Sequence, residues 1–179
     1  MQLHIPTLYT SRLALVPIAD THLDAYASLY CDPVVMAHIG APLDRAEIWK
    51  LMARHAGHWV LRGYGGWTVQ LRSTGGIVGL TGLQYPEGNT ELEIGWMFKP
   101  ESWGQGYAPE AAGAALTYAF DTVGAKRVVA RIAPANAGSI AVAHKLGMRM
   151  APELSTEQSR AYLSNPTDAA PELSAHGIG

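Results

Sequence analysis

The chain has 179 residues, 48% of them apolar and 16% charged, with a formal charge of -2 at pH 7; a chain this long buries roughly 70% of its unfolded surface and needs no disulfide or metal staple. Its thirteen Lys and Arg residues are scattered, which excludes a general nucleic-acid binder, and the single Cys31 permits no intrachain disulfide. No stretch of about 18 apolar residues is present to span a bilayer, and Met1 to Pro6 lacks the basic and apolar regions of a signal peptide, so the expectation is a cytoplasmic protein with no membrane partner.

In chain order, Leu13 to Leu15 suggests a short strand, and Thr21 to Leu29 carries apolar residues at helical spacing with Asp20 as its cap. A second helix is predicted from Arg45 to Leu61, where Ile48, Leu51, Met52, His55 and Trp59 recur on one side. Trp67 to Leu71 and Ile77 to Leu83 flank Ser73-Thr74-Gly75-Gly76 and read as a hairpin. A further strand covers Glu91 to Phe98, and its period of two puts Leu92, Ile94, Trp96 and Phe98 on one face and Glu91, Glu93, Gly95 and Met97 on the other. An alanine-rich helix follows from Pro109 to about Phe120, then a β-branched strand from Arg127 to Ile132. Asn136 is a natural cap for a helix ending at Gly147. After Met150 the prolines 152, 166 and 171 suggest loops and a mobile tail, with Arg160 to Leu163 as a short closing strand. The organisation expected is therefore a core over 1–150 and a C-terminal segment over 151–179.

The most informative stretch is the turn Trp103-Gly104-Gln105-Gly106-Tyr107-Ala108 between that strand and that helix. Two glycines let the backbone approach a ligand closely, and the first amides of a helix lack intrahelical acceptors, so the turn is an anion cradle suited to a phosphate-bearing cofactor. A P-loop would need a Lys followed by Ser or Thr, and a Rossmann turn would need a third glycine where Pro109 stands. Neither nucleotide reading fits. No Cys, His and Asp spacing resembles a metal site.

Four separated motifs in order resemble the GNAT superfamily of acyl-coenzyme A dependent N-acetyltransferases, in the branch of the ribosomal-protein N-acetyltransferases RimJ and RimL. They are Thr10 to Pro17, Asp32-Pro33-Val34-Val35-Met36, the Glu93 to Ala108 strand and turn, and Asn136-Ala137-Gly138-Ser139 with Lys145-Leu146-Gly147-Met148. The resemblance implies a single α+β domain, its mixed and mostly antiparallel sheet of six to seven strands flanked by about four helices. It also implies transfer of an acetyl group from acetyl-CoA, the acyl-donor cosubstrate, to a primary amine by direct attack through a tetrahedral intermediate, with no metal. The acceptor is a protein N-terminus or a small-molecule amine, and homodimers are common among similar proteins.

On this resemblance the amides of Gly104, Gln105, Gly106, Tyr107 and Ala108 hold the pyrophosphate, with Trp103 beside them, and backbone groups of Trp96, Met97 and Phe98 pair with the pantetheine arm. The Met97 N–H is the expected oxyanion contact. An α-amine with a pKa of about 8, or a lysine at about 10.4, must lose a proton before it attacks, which makes Glu93 the candidate base, direct or through water; its plainer alternative is a solvated strand-face carboxylate, and the same holds more strongly for Glu91. Ser139 is the candidate donor to the leaving thiolate and, with Asn136, a cofactor contact; both residues also suit local helix-start roles. Ala143 stands where many members carry a tyrosine acid, and Pro109 removes one amide. His55 and His58 are read as bystanders on the substrate-side helix. The competing reading is a catalytically inactive acyl-CoA sensor or assembly module of the same fold; an aromatic-rich interaction domain without cofactor is a third.

Overall fold

A computed structural model of the chain describes residues 4–167. Within them eight strands form one sheet in the order β1-β2-β3-β4-β5-β6-β8-β7. The strands are β1 (Leu8–Tyr9), β2 (Leu13–Pro17), β3 (Gly66–Leu71), β4 (Ile77–Gln84), β5 (Glu93–Phe98), β6 (Val128–Ile132), β7 (Arg149–Met150) and β8 (Arg160–Ser164). Five helices accompany them: α1 (Leu23–Tyr30), α2 (Pro33–Met36), α3 (Arg45–Arg62), α4 (Tyr107–Asp121) and α5 (Ala137–Lys145). The sheet thus continues past residue 150, because β8 inserts between β6 and β7 and pairs with β6 over five residues. The mobile tail expected near the C-terminus lies, from residue 168 on, outside the described residues.

Every neighbouring pair is antiparallel except β5 and β6, which run parallel and are connected through α4. That pair is held at a single register position, Glu93 opposite Val129, with the Val129 N–H donating to the Leu92 carbonyl at 2.9 Å. Beyond Glu93 the two strands part, and this seam is where the fold makes room for a ligand.

The sheet is covered on both faces, so its strands follow the period-two pattern with two apolar sides. Leu13, Leu15, Trp67, Val69, Ile94 and Phe98 join Ala111, Ala112, Ala115 and Ala119 of α4 in the larger core. The alanine face lets α4 lie close to the strands. Met97 points the other way, into a cluster with Tyr26, Leu29 and Tyr30 of α1, Met36 of α2, and Ile48 and Met52 of α3. β4 carries Gly82 because a Cβ there would sit 2.3 Å from the Cα of Gly66 on β3 and 2.8 Å from the Gly65 carbonyl oxygen.

Local capping follows the predicted chemistry in α5 but not in α1. Asp44 and Glu47 form a capping box at the start of α3, and Gly63 closes that helix in the left-handed region. Asn136 Oδ1 accepts from the Ser139 N–H at 3.0 Å at the start of α5. Asp20 is no cap: it belongs to a 3-10 turn, Asp20–His22, that begins at Ala19, and its carboxylate accepts instead from the Trp49 indole N–H at 3.0 Å. An aspartate before an apolar run looks the same in sequence whether its side chain caps the helix or, as here, has a distant partner.

Candidate functional site

A cavity of about 880 Å3 opens where β5 and β6 diverge. Its walls come from Trp96, Met97 and Phe98 on β5, the 103–109 turn and start of α4, the first turns of α5, and residues 33–39 around α2. Of the residues singled out for cofactor contact, all but Gln105 line this one cavity, Asn136 and Ser139 included. No Ser139 hydroxyl hydrogen bond is formed within the described residues.

The turn is built as its sequence requires. Gly104 and Gly106 have φ of +74° and +79°, and Gly106 is the residue that caps α4. Main-chain bonding resumes with the Glu110 N–H, which donates to the Gly106 carbonyl at 3.3 Å, and no main-chain acceptor among the described residues is bonded to the amides of residues 104–108. Those donors lie at a helix start whose dipole also favours an anion, and of residues 104–108 all but Gln105 line the cavity. Trp103 is half exposed and fixes the strand to the turn, its indole N–H donating to the Phe98 carbonyl at 2.8 Å.

A carboxylate in the first turn of α4 would compete with a bound phosphate for that dipole. Glu110 is such a carboxylate, and Arg12 neutralises it. The Arg12 guanidinium bonds Glu110 through Nε at 2.7 Å and Nη2 at 2.6 Å, donates through Nη1 to the Gln105 carbonyl at 2.9 Å, and stacks 4.7 Å from the Tyr107 ring centre. Thr10 adds a 2.6 Å hydrogen bond to Glu110. Burial alone would raise the Glu110 pKa, but the hydrogen bonds from Thr10 and Arg12 and the Arg12 charge outweigh it and hold the carboxyl below its ordinary value. This brace on the turn joins residues 98 positions apart, and the only sequence signal for it is that Arg12 lies in the first of the four motifs.

Strand register corrects the expected oxyanion donor. The Lys99 N–H donates to the Val78 carbonyl at 2.9 Å, and hydrogen-bonded positions alternate along an antiparallel pair. Met97, opposite Leu80 at the next such position, therefore turns its N–H toward β4. The main-chain groups that face the seam are those of Trp96 and Phe98, consistent with the Leu92 carbonyl meeting Val129 on β6. The Met97 side chain still lines the cavity.

Both strand glutamates are engaged across the seam. Glu91 is buried, 7% exposed, and holds Arg127 through two hydrogen bonds, the Nε one at 2.6 Å. The expectation of a solvated Glu91 fails because Arg127, just before β6, reaches back to it; that carboxylate keeps the Arg127 pKa above its ordinary value. Glu93 accepts from Arg131 Nε at 2.7 Å through Oε1, while Arg131 also donates to the Leu154 carbonyl. Glu93 lies outside the lining of the large cavity.

A second cavity, of about 270 Å3, lies on the other side of β5 and shares Trp96, Met97 and Ile39 with the first. Gly95 and Met97, on the same face of β5 as Glu93, line it, together with Tyr26 and Tyr30 of α1 and Leu51, Arg54 and His55 of α3. Burial, with the Arg54 charge adding to it, pushes the His55 ring down to about 4, so it is neutral at pH 7. His58 is structural: Nε2 accepts from the Tyr85 N–H at 2.9 Å, which leaves Nδ1 to donate to the Tyr64 carbonyl at 2.8 Å. Reading both histidines as bystanders missed that His55, one turn before Trp59 on the buried side of α3, lines a cavity.

Among the described residues no group of three or more His, Cys, Asp or Glu side chains is placed to hold a metal ion. No helix there is long and apolar enough to cross a membrane.

The chain matches the family model described as an acetyltransferase (GNAT) domain over residues 12–149. It is 36% identical over 149 residues to the uncharacterised protein YkkB of Bacillus subtilis, covering 79% of this chain and 84% of that one. It is 32% identical over 160 residues to the FsC-acetyl coenzyme A-N(2)-transacetylase of Aspergillus fumigatus, covering 80% of this chain and 65% of the relative. Among solved structures, an acetyltransferase from Agrobacterium tumefaciens superimposes with a TM-score of 0.84 at 30% identity over 92% of this chain and 97% of that one. With a glycine turn of unpaired amides, a parted parallel strand pair and a cavity joining the two, the match extends over the elements that form the site: the chain belongs to the GNAT acetyltransferase family.

Proposed function

We propose that this protein is an N-acetyltransferase of the RimJ/RimL-like branch that moves the acetyl group of acetyl-CoA to a primary amine. The observation that carries the reading is the row of unpaired amides at residues 104–108 opening onto the seam cavity. When bound, the thioester supplies an activated acyl carbon; the protein's task is to hold and orient it. The amides of the turn take the diphosphate, Trp96 and Phe98 offer main-chain groups to the pantetheine arm, and one of their N–H groups meets the acyl oxygen as it gains charge. Asn136 keeps the start of α5 in place, which sets the Ser139 hydroxyl to donate a hydrogen bond to the leaving sulfur and to relay a proton to it from water, taking one from the water as it gives its own.

The acceptor enters from the second cavity and meets the acyl carbon at the wall formed by Trp96 and Met97. Glu93, two residues beyond Gly95 on that face, takes the amine proton through water, using the Oε2 atom that Arg131 leaves unengaged. The exposed, unpaired Cys31 suits a reducing cytoplasm.

Acetyl-CoA is expected to raise the melting temperature, and amines to release free CoA. E93Q should lower kcat about 100-fold or more. S139A should lower kcat with little change in stability. Loss of stability in E93Q with an unchanged kcat would leave Glu93 only its tie to Arg131. Absence of any acetyl-CoA effect on melting would refute the proposal as a whole.

A further inference from the structure

Among the described residues no carboxylate lines the second cavity. Its walls are mostly apolar and aromatic, with Tyr26, Tyr30, Trp67 and Trp96 among them, and the one charged residue of the described lining is Arg54. The nearest acid along β5, Glu93, is paired with Arg131. Around the same face Asp20 accepts from Trp49, Asp24 pairs with Arg45, and Glu87 with Arg62. Arg54 itself makes no ion pair or hydrogen bond with any described residue.

A site built for a polyamine or another multiply charged cation needs acidic walls, since a second ammonium brought beside an unpaired guanidinium is repelled. Here the fixed charge has the opposite sign. Arg54 shares one side of α3 with Leu51 and His55, at the spacing that puts i, i+3 and i+4 together. It is exposed whereas Tyr26 and Trp67 are fully buried, so the lining runs from a cation at the solvent end to the Trp96 and Met97 wall shared with the cofactor cavity. A guanidinium presents paired donors in the geometry that a carboxylate accepts. His55, neutral and without a hydrogen-bond partner among the described residues, adds an acceptor for an amine N–H rather than a second repelling charge.

We infer that the acceptor is a small amine that also carries a carboxylate, of the α-amino acid type, with Arg54 binding the carboxylate and the aromatic walls enclosing the body of the molecule. The volume, about 270 Å3, falls just below the roughly 300–1,000 Å3 of small-molecule sites, which matches a compact zwitterion. This inference rests on the acetyltransferase reading and narrows it to a substrate class.

The test is a CoA-release assay on the full chain with acetyl-CoA and the common α-amino acids, each set beside its amide, with spermidine as a polycation. Rates are compared at equal concentration of neutral amine. The expected result is at least one acid preferred over its own amide by about tenfold or more in kcat/KM, the range of one charge-assisted hydrogen bond. In R54Q that ratio should fall about tenfold, through KM, with partial recovery in R54K; a melting scan with acetyl-CoA checks that each variant folds and binds the donor. CoA release with the amides or spermidine preferred, or a ratio unchanged in R54Q, overturns the inference and leaves the transferase reading standing. No release with any amine overturns both.

Discussion

Replacing Gly106 by alanine tests the turn in two separable ways. Gly106 caps α4 at φ +79°, and left-handed backbone costs a residue with a Cβ about 1–2 kcal/mol. The new methyl would meet Arg12 Nη2 at 3.3 Å, the movable end of a long side chain, so crowding adds little. In a chain of this length each kcal/mol moves the melting temperature by about 2–4 °C, and the unliganded variant should melt about 2–8 °C lower. The second effect is on the ligand. At a hundredfold excess over Kd, acetyl-CoA stabilises the wild type by about 2.7 kcal/mol. If the altered turn loses one charge-assisted hydrogen bond to phosphate, about 1.5 kcal/mol, affinity drops a little over tenfold. The same ligand concentration then contributes roughly 1.3 kcal/mol, so the ligand-induced rise is halved. Differential scanning fluorimetry with and without acetyl-CoA reads both numbers. A variant that melts lower yet shows the full ligand shift would mean that the phosphates bind elsewhere.

Two further outcomes follow from the packing and the charge brace. Because the Glu110 pKa is held below its ordinary value of 4.5, its contribution to stability is complete above that value and is lost as pH falls through the folded-state value; the melting difference between wild type and E110Q should be present at pH 7 and narrow steadily below about pH 4.5. A difference that stays constant into acid would show that the brace does not depend on the carboxylate charge. G82A should destabilise the fold by about 1–3 kcal/mol or more, since the added methyl meets backbone of β3 rather than a side chain able to turn away; chemical denaturation measures it, and a shift below half a kcal/mol would mean that the strands separate without cost.

The parts of the site that were legible in advance are local in the chain. Two glycines three and one residues ahead of Tyr107 specify a left-handed turn on their own, and Asn136 needs only the Ser139 amide three residues away. The architecture was likewise legible from four short motifs, although the described residues form a sheet of eight strands with five helices rather than the six to seven strands and about four helices expected. What escaped depends on distant partners. Glu91 meets Arg127 and Glu93 meets Arg131 only once β5 and β6 lie side by side, and Arg12 reaches Glu110 across 98 residues. Which way the Met97 amide points is a matter of register: period two assigns side chains to faces but does not tell which edge of a strand each N–H meets until its neighbour is known.

Because one rung of main-chain pairing joins β1–β5 to β6–β8, the sheet behaves as two leaves bound like a book. Every described residue lining the second cavity precedes Phe98 and lies on the first leaf, whereas Asn136 and Ser139 lie on the second. On the proposed assignment of the two cavities, evolution can therefore rewrite most of one page without smudging the other: a new choice of acceptor asks for changes in α1, α3 and the early strands, so long as Ile39, Trp96 and Met97, which both cavities share, are kept.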